Sequence, residues 1–274
     1  MRLLWPFTLC VSVLISSWAA SCSRHDRVGA PTKMPAPHAA PSASTPAPAQ
    51  TKSSTTLPPT DEGLPGAGPI RRSEWFQQEW SERKSYWLHR VNDDQRAIVF
   101  LGDSITQLWG DDFGGNFPGV HVANRGISGD TSRGVLIRVN EDVIALHPKA
   151  VVLLIGTNDI EEDTEPRVIA GNVELLARTI EQAVPGVHIL LCEVFPSSTS
   201  KHRPAATIRE LNDYYGVLAA RDRSITLVHT WSVFADESGD AKPSEFPDLL
   251  HPNAAGYAKW AQVLRPELAK VDAK

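Results

Sequence analysis

A three-layer α/β/α sandwich around a central, mainly parallel five-stranded sheet is the fold that this 274-residue sequence predicts. Three observations carry that expectation. Short β-branched and aliphatic runs recur at 97–101, 120–123, 150–155, 187–194 and 225–228. Longer stretches with helical spacing of their apolar residues follow or separate them, at 132–146, 165–184, 205–221 and 254–269. The strand runs are continuously apolar rather than alternating, which marks strands buried on both faces, and such strands are the parallel ones that helices cover on each side. Length, an apolar share of 42% and the lack of an internal repeat suit one domain of ordinary size with appendages.

The appendages come first. Residues 1–22 run from Met-Arg through a nearly all-apolar stretch, Leu3 to Ile15, to the small residues Ser16 to Ser21 and then Cys22, the order of an export signal. The apolar stretch is too short to span a membrane. Cys22 directly after Ala19-Ala20-Ser21 resembles a bacterial lipobox, although Ala19 stands where leucine is usual. That resemblance implies lipidation of Cys22 and attachment to a membrane through the lipid; ordinary cleavage nearby would instead release a periplasmic or secreted protein. Residues 23–69 are rich in Pro, Ala, Ser and Thr with hardly a large apolar side chain, so they are expected to form a disordered tether. The catalytic domain is expected over 70–274. It opens with a helix near Ser73 whose Phe76, Trp80, Arg83 and Trp87 share one face. Such a stripe is either core packing or a sugar-stacking platform, and helical spacing favours the core because it turns the residues toward a partner element.

Composition narrows the chemistry. The formal net charge is −5 with no Lys/Arg block, so no nucleic-acid surface is expected and a small neutral or weakly charged substrate fits. Three cysteines, Cys10, Cys22 and Cys192, of which the first would leave with the export signal, exclude a disulfide scaffold. Cys192, in His-Ile-Leu-Leu-Cys-Glu-Val-Phe, reads as a small buried residue of a strand. The chain has no His-Glu-x-x-His, no Cys-x-x-Cys, no calcium-loop spacing and no Gly-x-x-x-x-Gly-Lys, so neither metal nor cofactor is expected.

Ser104 is the first candidate for chemistry, because Val-Phe-Leu-Gly-Asp-Ser breaks at Gly102 and delivers a hydroxyl where a strand hands over to a helix. A serine hydroxyl needs a base and an oxyanion-stabilising pair or trio of donors. His251 would accept its proton and return it to the leaving alcohol, while Asp248, three residues earlier, would hold the other ring nitrogen. The N–H groups of Ser104 and Gly129 and the side-chain amide of Asn158 would form the oxyanion hole. Each of these segments follows a predicted strand or, for Asp248 and His251, precedes the last helix, so all gather at the carboxyl edge of the sheet. Asp103 and Asp159 are expected to orient the adjoining loops, and Asp130 with Thr131 and Ser132 to cap the next helix. Arg125 and Arg133 could lend positive potential to the site, but are expected to be solvated or paired structurally. Among nine histidines, His202 lies in a polar loop after a strand end and is a candidate for touching substrate. The loops 197–204 and 235–247 are expected to shape the pocket wall.

Four blocks in order then carry a resemblance: Gly-Asp-Ser at 102–104, Asn-Arg-Gly-Ile-Ser-Gly-Asp-Thr at 124–131, Gly-Thr-Asn-Asp at 156–159 and Asp-Leu-Leu-His at 248–251. Together they resemble the SGNH, or GDSL-like, hydrolase superfamily, and the second and fourth blocks look like its platelet-activating-factor-acetylhydrolase-like and bacterial acetylesterase branch. Ile105 replaces the leucine of the eponymous motif. The resemblance implies a flavodoxin-like sheet and metal-free ester hydrolysis through an acyl-serine, with Ser104, Gly129, Asn158 and His251 as hallmark residues. The expected substrate is a short-chain, above all acetyl, ester of a carbohydrate or a small lipid-like molecule. No inserted lid domain is expected between Asn158 and Asp248. The alternatives are a lysophospholipase or thioesterase of the same superfamily, and a non-catalytic glycan-binding envelope protein on the same fold. Oligomeric state leaves no trace in the sequence.

Overall fold

The computed structural model describes residues 54–272. The export signal, Cys22 and the first part of the expected tether lie outside the described residues. In chain order the elements are α1 (Glu74–Leu88), β1 (Ile98–Gly102), α2 (Ser104–Gln107), β2 (Val122–Gly126), α3 (Ser132–Asp142), β3 (Ala150–Leu154), α4 (Thr157–Glu161), α5 (Pro166–Ala183), β4 (His188–Cys192), α6 (Ala205–Arg221), β5 (Ile225–Val228), α7 (Trp231–Phe234) and α8 (Ala254–Asp272). The five strands are all parallel and lie in the order β2-β1-β3-β4-β5. The order reverses direction between β1 and β3, the place where open parallel sheets leave a crevice at their carboxyl ends.

Alternation along each strand divides the core in two. Val99, Leu101, Val151, Leu153, Ile189 and Leu191 face α3, α5 and α6, where Val135, Val139, Leu176, Ile180 and Leu211 pack on them. Ile98, Phe100, Val152, Leu154, Leu190 and Cys192 face the other layer, with Trp109, Phe113, Phe117, Trp260 and Leu264. Successive side chains of a strand point to opposite sides, so the continuous apolar runs are two faces read as one. Cys192 is buried, and burial pushes its thiol up to about 12, as befits a packing residue.

The aromatic stripe of α1 is core: Phe76, Trp80 and Trp87 are buried together with Ile127, and Ser73 caps the helix by accepting from the Phe76 N–H. Two element boundaries differ from expectation for identifiable reasons. β2 runs on through Asn124, Arg125 and Gly126, polar residues that hydropathy does not mark as strand. Their polarity is satisfied inside: Arg125 Nη2 meets Asp94 Oδ2 at 2.8 Å, and Asn124 Nδ2 donates to the carbonyls of Thr106 and Gly110. α3 stops at Asp142 because Val143 leaves helical geometry (φ −125°, ψ −60°), and a 3-10 turn over Ile144–Leu146 follows. That break buries Leu146 and lets its carbonyl accept from the Arg96 N–H.

The largest departure concerns the tether. Residues 54–69 were expected to be disordered with the rest of 23–69, yet they form a strap fastened to α3 and α5. Arg133 donates to the carbonyls of Pro65 and Gly68 and pairs with Asp61 at 2.5 Å. Asn172 brackets Ala67, accepting from its N–H at 3.0 Å and donating to its carbonyl at 2.8 Å. Thr131 Oγ1 donates to the Pro69 carbonyl. Apart from Asp61 and Leu57 the strap binds chiefly through its backbone, so it carries no apolar pattern and composition alone does not mark it as ordered.

Candidate active site

The register brings three loops out of the sheet at one level, since Gly102 of β1 pairs with Gly126 of β2 and with Leu154 of β3. Just past those strand ends, Ser104 opens α2, Gly129 lies on the loop after β2 and Asn158 stands in the first turn of α4. Gly102 permits the abrupt turn into α2, because a Cβ there would stand 2.4 Å from both the Leu154 carbonyl oxygen and Thr106 Oγ1. Asp103 caps α2 by accepting from the Ile105 N–H at 2.9 Å, which leaves Ser104 as the first helical residue.

The histidine arrives from the other side of the sequence. Ser104 Oγ lies 2.9 Å from His251 Nε2, and His251 Nδ1 lies 2.7 Å from Asp248 Oδ2. The turn that carries them is self-braced, because Asp248 Oδ1 also accepts from the N–H groups of Leu250 (3.0 Å) and His251 (2.8 Å). Leu249 takes a left-handed φ of 63° to close this turn, and its carbonyl accepts from Ser197 Oγ at 2.8 Å. Burial works against the Asp248 charge, but the bonds from the His251 N–H, its ring and the Leu250 N–H outweigh it and hold the carboxyl down to about 2. The carboxylate therefore stays ionised across the working pH range and fixes the imidazole tautomer that leaves Nε2 free to accept.

A cleft of about 260 Å³ opens over these groups, with Ser104, Gly129, Asn158 and His251 in its wall. Gly129 has φ 82°, and a Cβ there would come within 2.9 Å of the Trp75 ring, so both conformation and space require glycine. Asn158 is buried, its Nδ2 donating to the Asp130 carbonyl at 2.9 Å. The sequence-predicted residues Ser104, Gly129, Asn158, Asp248 and His251 are thus brought together.

Other expectations are corrected here. His202 is exposed, at the left-handed end of a 3-10 turn, and it does not line the cleft; its neighbour Arg203 is buried and does. The loop 235–247 also contributes nothing to the cleft wall, and instead backs the histidine loop through Asn253 N–H to Glu245 O and Ala241 N–H to Ser197 O. Sequence reasoning missed Arg71, Trp75 and Glu161 in the wall, and reached Arg203 only as part of the loop 197–204, whose place in the wall it fills. The one available sign was that Trp75 is the outward neighbour of the core-facing Phe76.

Behind the cleft three carboxyls are fully buried. Asp159 accepts from both the N–H and the hydroxyl of Ser132, and Asp130 pairs with Arg138 at 2.8 Å, so these two tie the catalytic loops to α3. Thr131, rather than Asp130, caps that helix. The second oxygen of Asp103 has no partner among the described residues. Burial pushes Asp103 up to about 7 and Asp130 and Asp159 up to about 6, against 3.8 for a free aspartate. Between those limits the folded chain holds protons that the unfolded chain has released, so this contribution to stability is present at pH 4 and lost as pH rises toward 7. Asp103→Asn keeps the cap and removes the charge. Its melting temperature relative to the unsubstituted protein should improve from pH 5 to about pH 7 and level off above that; a difference that does not vary with pH would show that Asp103 titrates normally.

Among the described residues no three His, Cys, Asp or Glu side chains are grouped to hold a metal ion. What the arrangement can do is acyl transfer: a hydroxyl in line with an imidazole and a carboxylate, beside donors placed for a developing oxyanion, on a doubly covered parallel sheet. That combination is what acyl transfer through a serine nucleophile requires.

Known proteins agree. The GDSL-like Lipase/Acylhydrolase family matches residues 100–259. Human platelet-activating factor acetylhydrolase IB subunit alpha2 is 27% identical over 192 residues, covering 68% of this chain and 81% of that protein. A GDSL-like lipase from Bacteroides thetaiotaomicron superposes with a TM-score of 0.60 at 25% identity, over 68% of this chain and 97% of that one. An acetylxylan esterase from Geobacillus stearothermophilus shares the fold, with a TM-score of 0.53 at 23% identity over 63% of this chain and 94% of that one. The chain belongs to the GDSL-like lipase/acylhydrolase family, within the SGNH hydrolase superfamily, and is a carboxylic ester hydrolase.

Proposed function

We propose that the protein is an exported serine esterase that removes short acyl groups, acetyl above all, from carbohydrate or small lipid-like esters. One observation carries the mechanism: the unbroken line from Ser104 Oγ through His251 to Asp248, at 2.9 and 2.7 Å, opening onto a cleft that Asn158 and Gly129 share. As Ser104 attacks the ester carbonyl, His251 Nε2 takes the hydroxyl proton, and the oxyanion is met by the N–H groups of Ser104 and Gly129 and by Asn158 Nδ2. The imidazolium, steadied by Asp248, then protonates the departing alcohol, and water repeats the sequence to release the acid and free serine.

Two features support a short acyl group and a bulky alcohol. The cleft is small, and Trp75 stands at its mouth over Gly129 with 54% of its surface exposed, an unusual place for an indole unless something stacks on it. The similar proteins whose names specify an ester are an acetylhydrolase and an acetylxylan esterase. Location belongs to the same proposal: residues 1–22 direct export, with Cys22 lipidated to give an envelope lipoprotein and residues 23–53 as the tether. Mass spectrometry of the mature N-terminus tests that part.

Turnover of p-nitrophenyl acetate against longer acyl esters, followed by acetylated sugars against short-chain phospholipid esters, tests the activity. Acetyl should be preferred, and folded protein that turns over no ester would favour the glycan-binding alternative. Trp75→Ala should raise KM for an acetylated sugar about fivefold, the scale of one lost stacking contact, and move KM for a simple alkyl acetate less. Equal changes on both would remove Trp75 as a sugar platform.

A further inference from the structure

Two guanidinium groups converge on the carboxamide of Asn158. Arg203 Nη2 donates to its Oδ1 at 3.2 Å, and Arg71 Nη1 reaches the same oxygen at 3.5 Å. On the opposite side Asn158 Nδ2 gives one of its two hydrogens to the Asp130 carbonyl, which leaves the second for the cleft. Turning the amide over would set its NH2 against two cationic donors and its oxygen against a carbonyl, losing all three hydrogen bonds to like-with-like contacts. The direction in which Asn158 presents its free N–H is therefore dictated by its neighbours.

Those neighbours are themselves held from three separate segments. Arg203, buried, donates Nε to the Thr157 carbonyl at 3.0 Å and Nη1 to the Lys201 carbonyl at 2.6 Å, and pairs with Glu161 at 2.8 Å. Arg71, two residues past the strap, pairs with Glu161 and, at 2.8 Å, with Glu162. Glu161 lies one turn after Asn158 on α4 and joins both arginines. Two carboxylates against two guanidinium groups leave little net charge beside the oxyanion, so the cluster acts by orienting and polarising the amide rather than by its overall field.

We propose that Arg203, with Arg71 as its partner, is a positioning residue that fixes the Asn158 carboxamide so that its second N–H meets the oxyanion. The inference rests on the esterase reading of Ser104. Arg203→Lys keeps a charge but cannot reproduce the fork that spans Thr157, Lys201 and Asn158. On p-nitrophenyl acetate it should lower kcat about tenfold with KM within about twofold, because the amide works in the transition state. In an Asn158→Ala background the same substitution should change kcat by less than about twofold, since its effect travels through the missing amide. An equal loss of kcat in both backgrounds would make Arg203 merely structural and overturn the proposal, as would an undiminished kcat in the single variant. Circular dichroism and melting temperature accompany each variant; if Arg203→Lys fails to fold, Arg71→Gln at the rim runs through the same cycle with the same two outcomes. An unsubstituted protein that turns over no ester overturns the esterase reading itself, a result distinct from an active enzyme whose cycle shows no coupling.

Discussion

Ser104→Ala should reduce kcat on p-nitrophenyl acetate by about four orders of magnitude or more, leaving only what oxyanion donors and binding supply without a nucleophile. Melting temperature should scarcely move, because Ser104 Oγ makes its hydrogen bond to His251 and Asp103, not Ser104, caps α2. Intact-mass analysis after brief exposure to an activated acetyl ester should show an acetyl adduct on the unsubstituted protein and none on the variant. Retained steady-state turnover in the folded variant would move the nucleophile elsewhere in the cleft.

Asn158→Ala should lower kcat about 10²- to 10³-fold, the usual consequence of losing one oxyanion donor. KM should change little, because the ground-state carbonyl carries less charge than the tetrahedral intermediate for which the amide is placed. The substitution also leaves the Asp130 carbonyl and the two arginines without their shared partner. Some loss of stability is therefore expected, and kcat must be measured well below the variant's melting temperature. A loss confined to KM would show that Asn158 binds substrate and does not act on the oxyanion.

The parts of the fold legible in the sequence are those set by the period of apolar residues. β5 and α6 have the bounds that their apolar pattern predicted. β2 was cut short in the sequence reading because Asn124 and Arg125 lie in the sheet with their polarity met by Thr106, Gly110 and Asp94, contacts 14 to 31 residues distant in the chain. The same distinction holds at the site. Ser104, Gly129, Asn158, Asp248 and His251 stand in short blocks whose spacing is local; four of them meet in the cleft, and Asp248 stands behind His251. Arg71, Glu161 and Arg203 carry no local pattern, since the arginines matter only where the segment just past the strap and the loop after β4 converge on Asn158. His202 was singled out for its chemistry, but the left-handed turn at that residue leaves it exposed while Arg203 is buried in the wall.

The strap over 54–69 also works as a strain relief on a cable. A pull arriving along the chain from its N-terminal side is taken up first by Ser54 on Glu141, then by Asp61 on Arg133 and by Pro65, Ala67 and Gly68 on Arg133 and Asn172, before any of it reaches Arg71. These contacts lie in series along the chain, and they end on α3 and α5, which pack across one face of the sheet. A load applied at the start of the strap is thereby passed to the body of the domain, ahead of the amide beside Ser104.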